Sequence, residues 1–320
     1  MENRKKAIGG YLGLELGESH NNNPHGNASA LNTGRNAFYC ILSELKPKSI
    51  LLPNFLCKAI LDPVHKLNIP YRYYSVSSTF EPIVHEDLSP TTYLLYINYF
   101  GICDNIVNLL AENYSSNLIV DNTQAFFSDP IDGIPTFYSA RKFFGVPDGG
   151  YLYGVDINMS TLQEDQSWNR CKHLLIREDI SPEEGYSSFQ ENERLLSIVE
   201  VAKMSRLTNS ILNAINYREV KAKRIQNFEY LHSKLITNNE LSNIFKSAYP
   251  SISYPYLTAN AMSIREELKE QRIFTPMLWD NTMMPNIPFD DNQFAERILH
   301  LPIDQRYTSR DLARITKILI

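Results

Sequence analysis

From Ser49 onward, short apolar runs alternate with stretches whose apolar residues recur at helical spacing. Residues 49–53 predict a strand, 56–67 a helix, 71–76 a strand, and 92–99 a buried strand. A helix over 105–113 then leads to a short apolar strand at 117–121 that ends on the carboxylate of Asp121. Such alternation predicts an α/β layer with a mainly parallel sheet. In sheets of this kind ligands bind beyond the carboxyl ends of the strands, which is where Asp121 falls. Upstream, residues 7–16 alternate loosely and predict a short strand or an arm, and the polar run 19–27 predicts a loop. Ala37, Cys40, Ile41 and Leu45 then follow at helical spacing.

After Tyr153 the texture changes. Residues 155–184 are polar and predict a loop with short helical pieces, whereas 187–237 read as helical throughout. Within that stretch the basic turn at 221–224 reads as a solvated helix face. A strand over 256–262, a helix over 263–270, a strand over 273–276 and a last helix from about 309 to 319 predict a small α+β unit. The expected division is an N-terminal arm and large domain over 1–185, then a helical linker and small domain over 186–320.

Composition narrows the partners. The 320 residues are 43% hydrophobic and 21% charged, enough apolar material for a large core. A net charge of −5 leaves no basic footprint for nucleic acid. No stretch has the roughly 18 apolar residues of a membrane span, and no secretory apolar core follows the first residues, so a cytoplasmic protein is expected. The four cysteines and seven histidines are scattered without metal-ligand spacing, so no metal is expected.

Candidate chemistry centres on residues 137–154. There Lys142 sits among aromatic residues, just before a glycine-rich turn over 145–150. An aromatic setting disfavours the charged ammonium and frees the amine as a nucleophile toward carbonyls and pyridoxal phosphate (PLP). Thr33-Gly34-Arg35-Asn36 opens a helix whose free N–H groups favour an anion, with Arg35 suited to phosphate. An ordinary N-cap by Thr33 or Asn32 is the alternative, and both readings are open at this point. A PLP enzyme needs a lysine, a carboxylate against the pyridine nitrogen and a phosphate cup. Lys142, Asp121 and the Gly34 turn answer those three demands.

The chain resembles the DegT/DnrJ/EryC1/StrS family of PLP-dependent sugar aminotransferases, from residues 9–11 to 301–307. The resemblance is strongest in Val120-Asp121-Asn122-Thr123-Gln124-Ala125, in the spacing from Lys142 to Asp148-Gly149-Gly150, and in Thr33-Gly34-Arg35-Asn36-Ala37. It implies PLP-dependent transferase fold type I, with Lys142 holding the cofactor as a Schiff base and acting as general base and acid. It further implies Asp121 on the pyridine nitrogen, Gln124 near the cofactor hydroxyl, and Gly34, Arg35, Asn36 and Ser139 around the phosphate. The implied reaction passes an amino group, with glutamate as donor, to a nucleotide-linked keto sugar in surface polysaccharide or aminosugar biosynthesis. A homodimer is implied too. Alternatives on the same fold are a PLP-dependent sugar dehydratase, some of whose relatives carry histidine in place of the lysine, and a non-catalytic PLP- or sugar-binding regulator.

Three positions depart from the family. The phosphate-binding serine is usual five residues before the lysine, where Phe137 stands; Ser139 lies three before. Cys57 occupies the place of a ring that stacks on the cofactor, which leaves Phe55 or a residue from elsewhere as a substitute. Asn216-Tyr217-Arg218 imitates a family motif that reaches the partner subunit, but its context reads as a helical surface. Gly9-Gly10-Tyr11 and Trp279 are expected either to border substrate or simply to pack.

Overall fold

The computed structural model describes residues 14–20, 22–85, 88–279 and 294–320; Gly9, Gly10 and Tyr11 lie outside them. The expected parallel sheet is present. Eight strands, β1 (Ser29–Leu31), β2 (Ser49–Pro53), β3 (Tyr71–Val76), β4 (Pro82–Ile83), β5 (Thr92–Ile97), β6 (Leu118–Asp121), β7 (Thr136–Ser139) and β8 (Gly150–Tyr153), lie in the order β1-β8-β7-β6-β5-β2-β3-β4. The run from β7 to β3 is parallel, while β8, β1 and β4 pair antiparallel at the margins.

Period-two alternation decides what each strand faces. Ile50, Leu52, Leu95, Ile119 and Phe137 point to the side of helices α1 (Gly34–Leu45) and α2 (Leu61–Lys66). Leu51, Leu94, Tyr96, Leu118 and Val120 point to the other side, which α3 (Asp104–Tyr114) and the C-terminal unit cover. Burial on both faces is why these strands read as unbroken apolar runs.

The C-terminal half differs from expectation in its breaks. Residues 187–237 form three helices, since α5 (Pro182–Ile198) stops before an extended link in which Met204 and Lys203 meet Ala30 and Leu31 of the sheet edge. Helices α6 (Arg206–Asn213) and α7 (Tyr217–Leu235) then start on the side-chain caps of Ser205 and Asn216. The polar stretch before them holds α4 (Lys172–Asp179), which pairs with α5 as a hairpin. A division at 185/186 falls inside α5.

A two-stranded antiparallel sheet, β9 (Tyr254–Leu257) with β10 (Ile298–Leu301), carries α8 (Ala261–Glu270) and α9 (Ser309–Leu319). Strand β9 ends earlier than expected because the chain turns at Asn260 into α8. Residues 273–276 form no strand: Phe274 is exposed, and Pro276 has no amide to give a ladder. One apolar cluster runs from Leu51, Leu94 and Leu118 to Leu268, Ile298 and Leu312, so the small unit shares its core with the sheet.

At the other margin His25 is caged by Phe126, Tyr138, Tyr151 and Tyr153, with Nε2 2.9 Å from the Phe126 carbonyl oxygen. Burial pushes its pKa down to about 4. The folded protein therefore holds His25 neutral, and its contribution is complete above pH 6.5 and lost as the pH falls from 6.5 through 4, on the order of 3 kcal/mol in all. Urea unfolding across that window should show a shallower acid limb in His25→Gln than in the wild type; equal slopes would remove His25 from the account.

Candidate active site

Strand β7 ends at Ser139 and passes into a 3₁₀ turn, Ala140–Lys142. Lys142 donates from Nζ to Thr123 Oγ1 at 2.8 Å. Its side chain is exposed, contrary to the apolar slot expected from sequence. Phe143 and Phe144 are buried, but they turn away from the amine into a cluster with Phe126 and Tyr217. What the lysine meets is polar: the Thr123 hydroxyl and the field of Asp121.

Asp121 terminates β6 and is 4% exposed. Its Oδ1 accepts the Thr123 N–H at 2.8 Å. Burial pushes its pKa up, against which the Lys142 charge and the Thr123 hydrogen bonds pull. A buried carboxylate on one nearby cation suits a second cationic partner, such as a protonated ring nitrogen. Thr123 thus touches both candidate residues. Sequence reasoning gave it no role, although its place two residues after a strand-end aspartate marks an Asx-type turn.

The helix start at Gly34 comes to the same place. Thr33 caps α1 by accepting the Asn36 N–H, whereas the Gly34 and Arg35 amides meet no protein acceptor among the described residues. A Cβ on Gly34 would lie 3.2 Å from the Tyr138 carbonyl oxygen, 3.4 Å from Thr123 Cγ2 and 3.6 Å from Ser139 Cβ. Ser139 therefore stands beside the open amides. Phe137, at the family's usual serine position, is buried and stacked on Phe38 at 5.1 Å.

Three expected side chains are committed elsewhere. Arg35 donates to the Leu196 carbonyl at 2.8 Å and pairs with Asp62 at 2.9 Å, leaving only its main-chain amide at the helix start. Asn36 donates to Asn32 Oδ1 (2.9 Å) and to the Glu200 carbonyl (3.1 Å). Gln124 is buried, and its Oε1 accepts the Phe100 N–H at 2.8 Å, bracing a turn where Phe100 has φ 56°.

The glycine pair fastens these pieces together. Gly149, at φ +118°, donates to the Asn32 carbonyl at 2.6 Å and accepts from the Ala140 N–H at 3.1 Å. A Cβ on Gly150 would lie 2.4 Å from the Thr33 carbonyl carbon. Behind them Asp148, fully buried, accepts from Ser205 Oγ (3.2 Å), the Thr208 hydroxyl and Arg170 (3.3 Å). Arg170 also donates to Asp165 at 2.7 Å, and Asp165 accepts from Asn32 Nδ2 at 3.2 Å. The ring of bonds closes on the residue before Thr33.

Other expectations move. Phe55 is fully buried among Tyr99, Phe100 and Trp279, so it does not replace the ring missing at Cys57. Trp279 packs into that same cluster. Asn216 caps α7 and Arg218 is exposed, as a helical surface would have it, but Tyr217 is 4% exposed and stacked on Phe126. Nor is the basic turn wholly solvated. Arg224 is 1% exposed and lies on the inward face with Asn227, Phe228 and Leu231. Its guanidinium sits 4.6 Å over the Phe143 ring and donates to the Phe143 carbonyl (3.3 Å), pinning the residue after Lys142.

Lys142 opens onto two cavities of about 740 and 630 Å³. Both are also lined by Arg177, Phe189, Asp304 and Arg306.

No family model and no curated protein matches the sequence. Solved structures do match. The sugar aminotransferase CalS13 from Micromonospora echinospora superposes with a TM-score of 0.61 at 13% identity, over 91% of this chain and 86% of that one. The Streptococcus pneumoniae protein Spr1654 in its PLP form gives 0.61 at 15% identity over 91% and 85%. NtdA from Bacillus subtilis with bound cofactor PMP gives 0.62 at 15% identity over 91% and 72%. The chain has the fold of these proteins, the one implied by the DegT/DnrJ/EryC1/StrS resemblance.

The fit at Gly150 is testable without ligand. Gly150→Ala should lower the unfolding free energy by about 1–3 kcal/mol, since the added methyl meets main chain. Gly145→Ala, where the nearest contact is Leu174 Cδ2 at 3.7 Å, should stay within about 0.5 kcal/mol of the wild type.

Proposed function

We propose that the protein is a PLP-dependent aminotransferase that passes an amino group from a donor, glutamate, to a nucleotide-linked keto sugar. The observation that carries this reading is the convergence of Lys142, Thr123 and buried Asp121 at the carboxyl edge of the sheet, beside the open Gly34 helix start. The residues present fit the cofactor: open amides and a serine for phosphate, a buried carboxylate for a ring nitrogen, and an amine between them.

Bound PLP supplies an electron sink that lets a C–H bond next to nitrogen break. The Gly34 and Arg35 amides and the Ser139 hydroxyl would bind the phosphate. Asp121 would keep the ring nitrogen protonated, its own burial making a lone charge costly and a paired one favourable. Thr123 orients the Lys142 amine by accepting from Nζ and fixes the Asp121 carboxylate through its main-chain amide. Lys142, which would hold the cofactor and be freed by the incoming amine, would take a proton from the substrate carbon as base and deliver it to the cofactor carbon as acid, a role worth typically 10²–10⁴-fold.

We place the enzyme in the cytoplasm as a homodimer, in surface polysaccharide or aminosugar biosynthesis. One observation favours a binding protein without turnover: the Arg35, Asn36 and Gln124 side chains are all engaged away from the cup. The retained lysine speaks against a dehydratase of the histidine-bearing kind.

Protein incubated with PLP and dialysed should be yellow, and borohydride should fix the cofactor on Lys142, as located by peptide mass spectrometry. Fixation on another lysine, or on Lys142→Ala protein, would overturn the assignment. Asp121→Asn should still take up cofactor but slow the half-reaction with glutamate on the order of 10²-fold. A panel of nucleotide keto sugars, read by 2-oxoglutarate release, separates the enzyme from the binding protein.

A further inference from the structure

Lys142 is exposed, so packing does not hold its side chain and the backbone around it has to set where the amine lies. On the N-terminal side that backbone is fixed by β7 and by the turn Ala140–Lys142, which closes when the Phe143 N–H donates to the Ala140 carbonyl at 3.0 Å. On the other side stands the Phe143 carbonyl. No main-chain donor meets it among the described residues. Two side chains do, Gln305 through Nε2 at 3.0 Å and Arg224 through Nη2 at 3.3 Å. A carbonyl oxygen has two lone pairs, so these two donors satisfy it.

Both donors come from the C-terminal half of the chain, and each is braced. Arg224 is buried on α7, where its Nε donates to Gln305 Oε1 at 3.1 Å and its Nη1 to the Ser251 carbonyl at 2.8 Å. Three residues on, Asn227 donates from Nδ2 to the carbonyls of Ile303 (3.0 Å), Asp304 (3.1 Å) and Tyr307 (3.2 Å). Helix α7 thereby grips the loop that carries Gln305. Every hydrogen bond of Arg224 goes to a neutral oxygen. A planar fork used in this way fixes direction and balances no charge.

We propose that Arg224 and Gln305 are positioning residues for Lys142: they hold the Phe143 carbonyl so that the C-terminal unit sets the direction of the lysine amine. Their bearing on catalysis rests on the aminotransferase reading, whereas their hold on the lysine turn does not. A tie that served stability alone would behave differently at Gln305. Glutamate there can pair with the Arg224 guanidinium, but it has no proton to give the Phe143 carbonyl.

The test titrates full-length protein with PLP and follows thermal unfolding of the same samples. In Gln305→Leu and Gln305→Glu the affinity for PLP, read from the absorbance of the bound cofactor, should fall about tenfold, with borohydride fixation on Lys142 slowed to match. Gln305→Glu should nonetheless unfold no earlier than the wild type, because an ion pair with Arg224 replaces the lost bond. Arg224→Lys, which keeps the charge and loses the fork, should weaken PLP binding likewise. In protein without cofactor, trace acetylation of Lys142 should rise about twofold or more in both Gln305 variants relative to exposed Lys48 and Lys58, as the amine comes free of Thr123. Unchanged PLP affinity and Lys142 acetylation in Gln305→Glu, or losses across the variants that simply follow the unfolding midpoint, would overturn the positioning role. Wild-type protein that takes up no PLP on Lys142, while its acetylation responds to Gln305 as stated, would uphold the positioning and remove the aminotransferase reading instead.

Discussion

The close contact of the Gly149–Gly150 turn with the start of α1 is the constraint on which the site depends. Main chain meets main chain there, so no side chain can intervene, and the lysine turn and the helix start are held at a fixed separation. The turn is secured from behind by a buried carboxylate. Taking Asp148 out of water is unfavourable unless its oxygens are satisfied, and Ser205, Thr208 and Arg170 satisfy them. Because Arg170 continues through Asp165 to Asn32, the same bonds that stabilise the charge also set the position of the helix start.

The parallel sheet was legible because its strands are buried on both faces. Such strands read as continuous apolar runs, and the stretch at 71–76 became β3 residue for residue. Short strands such as β1 and β8 left no comparable trace, since three or four residues carry little period and their pairing is non-local. The helical breaks at 199–205 and 214–216 were missed for a related reason. Apolar residues continue through them, and only the capping serine and asparagine mark the restarts.

Within the site, residue type was legible and direction was not. Arg35, Asn36 and Gln124 have the chemistry expected of them, but their partners lie on α2, on the 199–200 link and in the Phe100 turn, distant in sequence. Arg224 shows the converse. A basic residue in a basic turn is buried because the helical face it occupies also bears Phe228 and Leu231, and three carbonyl or amide oxygens replace its water. Ser139 shows that an offset in sequence need not be one in space: three residues before the lysine is close to the helix start once β7 and β8 are paired.

The apolar cluster that passes without interruption from the parallel sheet into the C-terminal unit bears on how the chain can be divided. Leu51, Leu94 and Leu118 are covered by residues more than a hundred positions later, at roughly 25 cal/mol for each Å² of apolar surface withdrawn from water. A fragment ending in the middle of the chain would leave that face of the sheet bare, and a fragment beginning there would lack the floor it packs upon. Exchanging either half for the corresponding half of another protein would therefore require rebuilding the apolar surface between them.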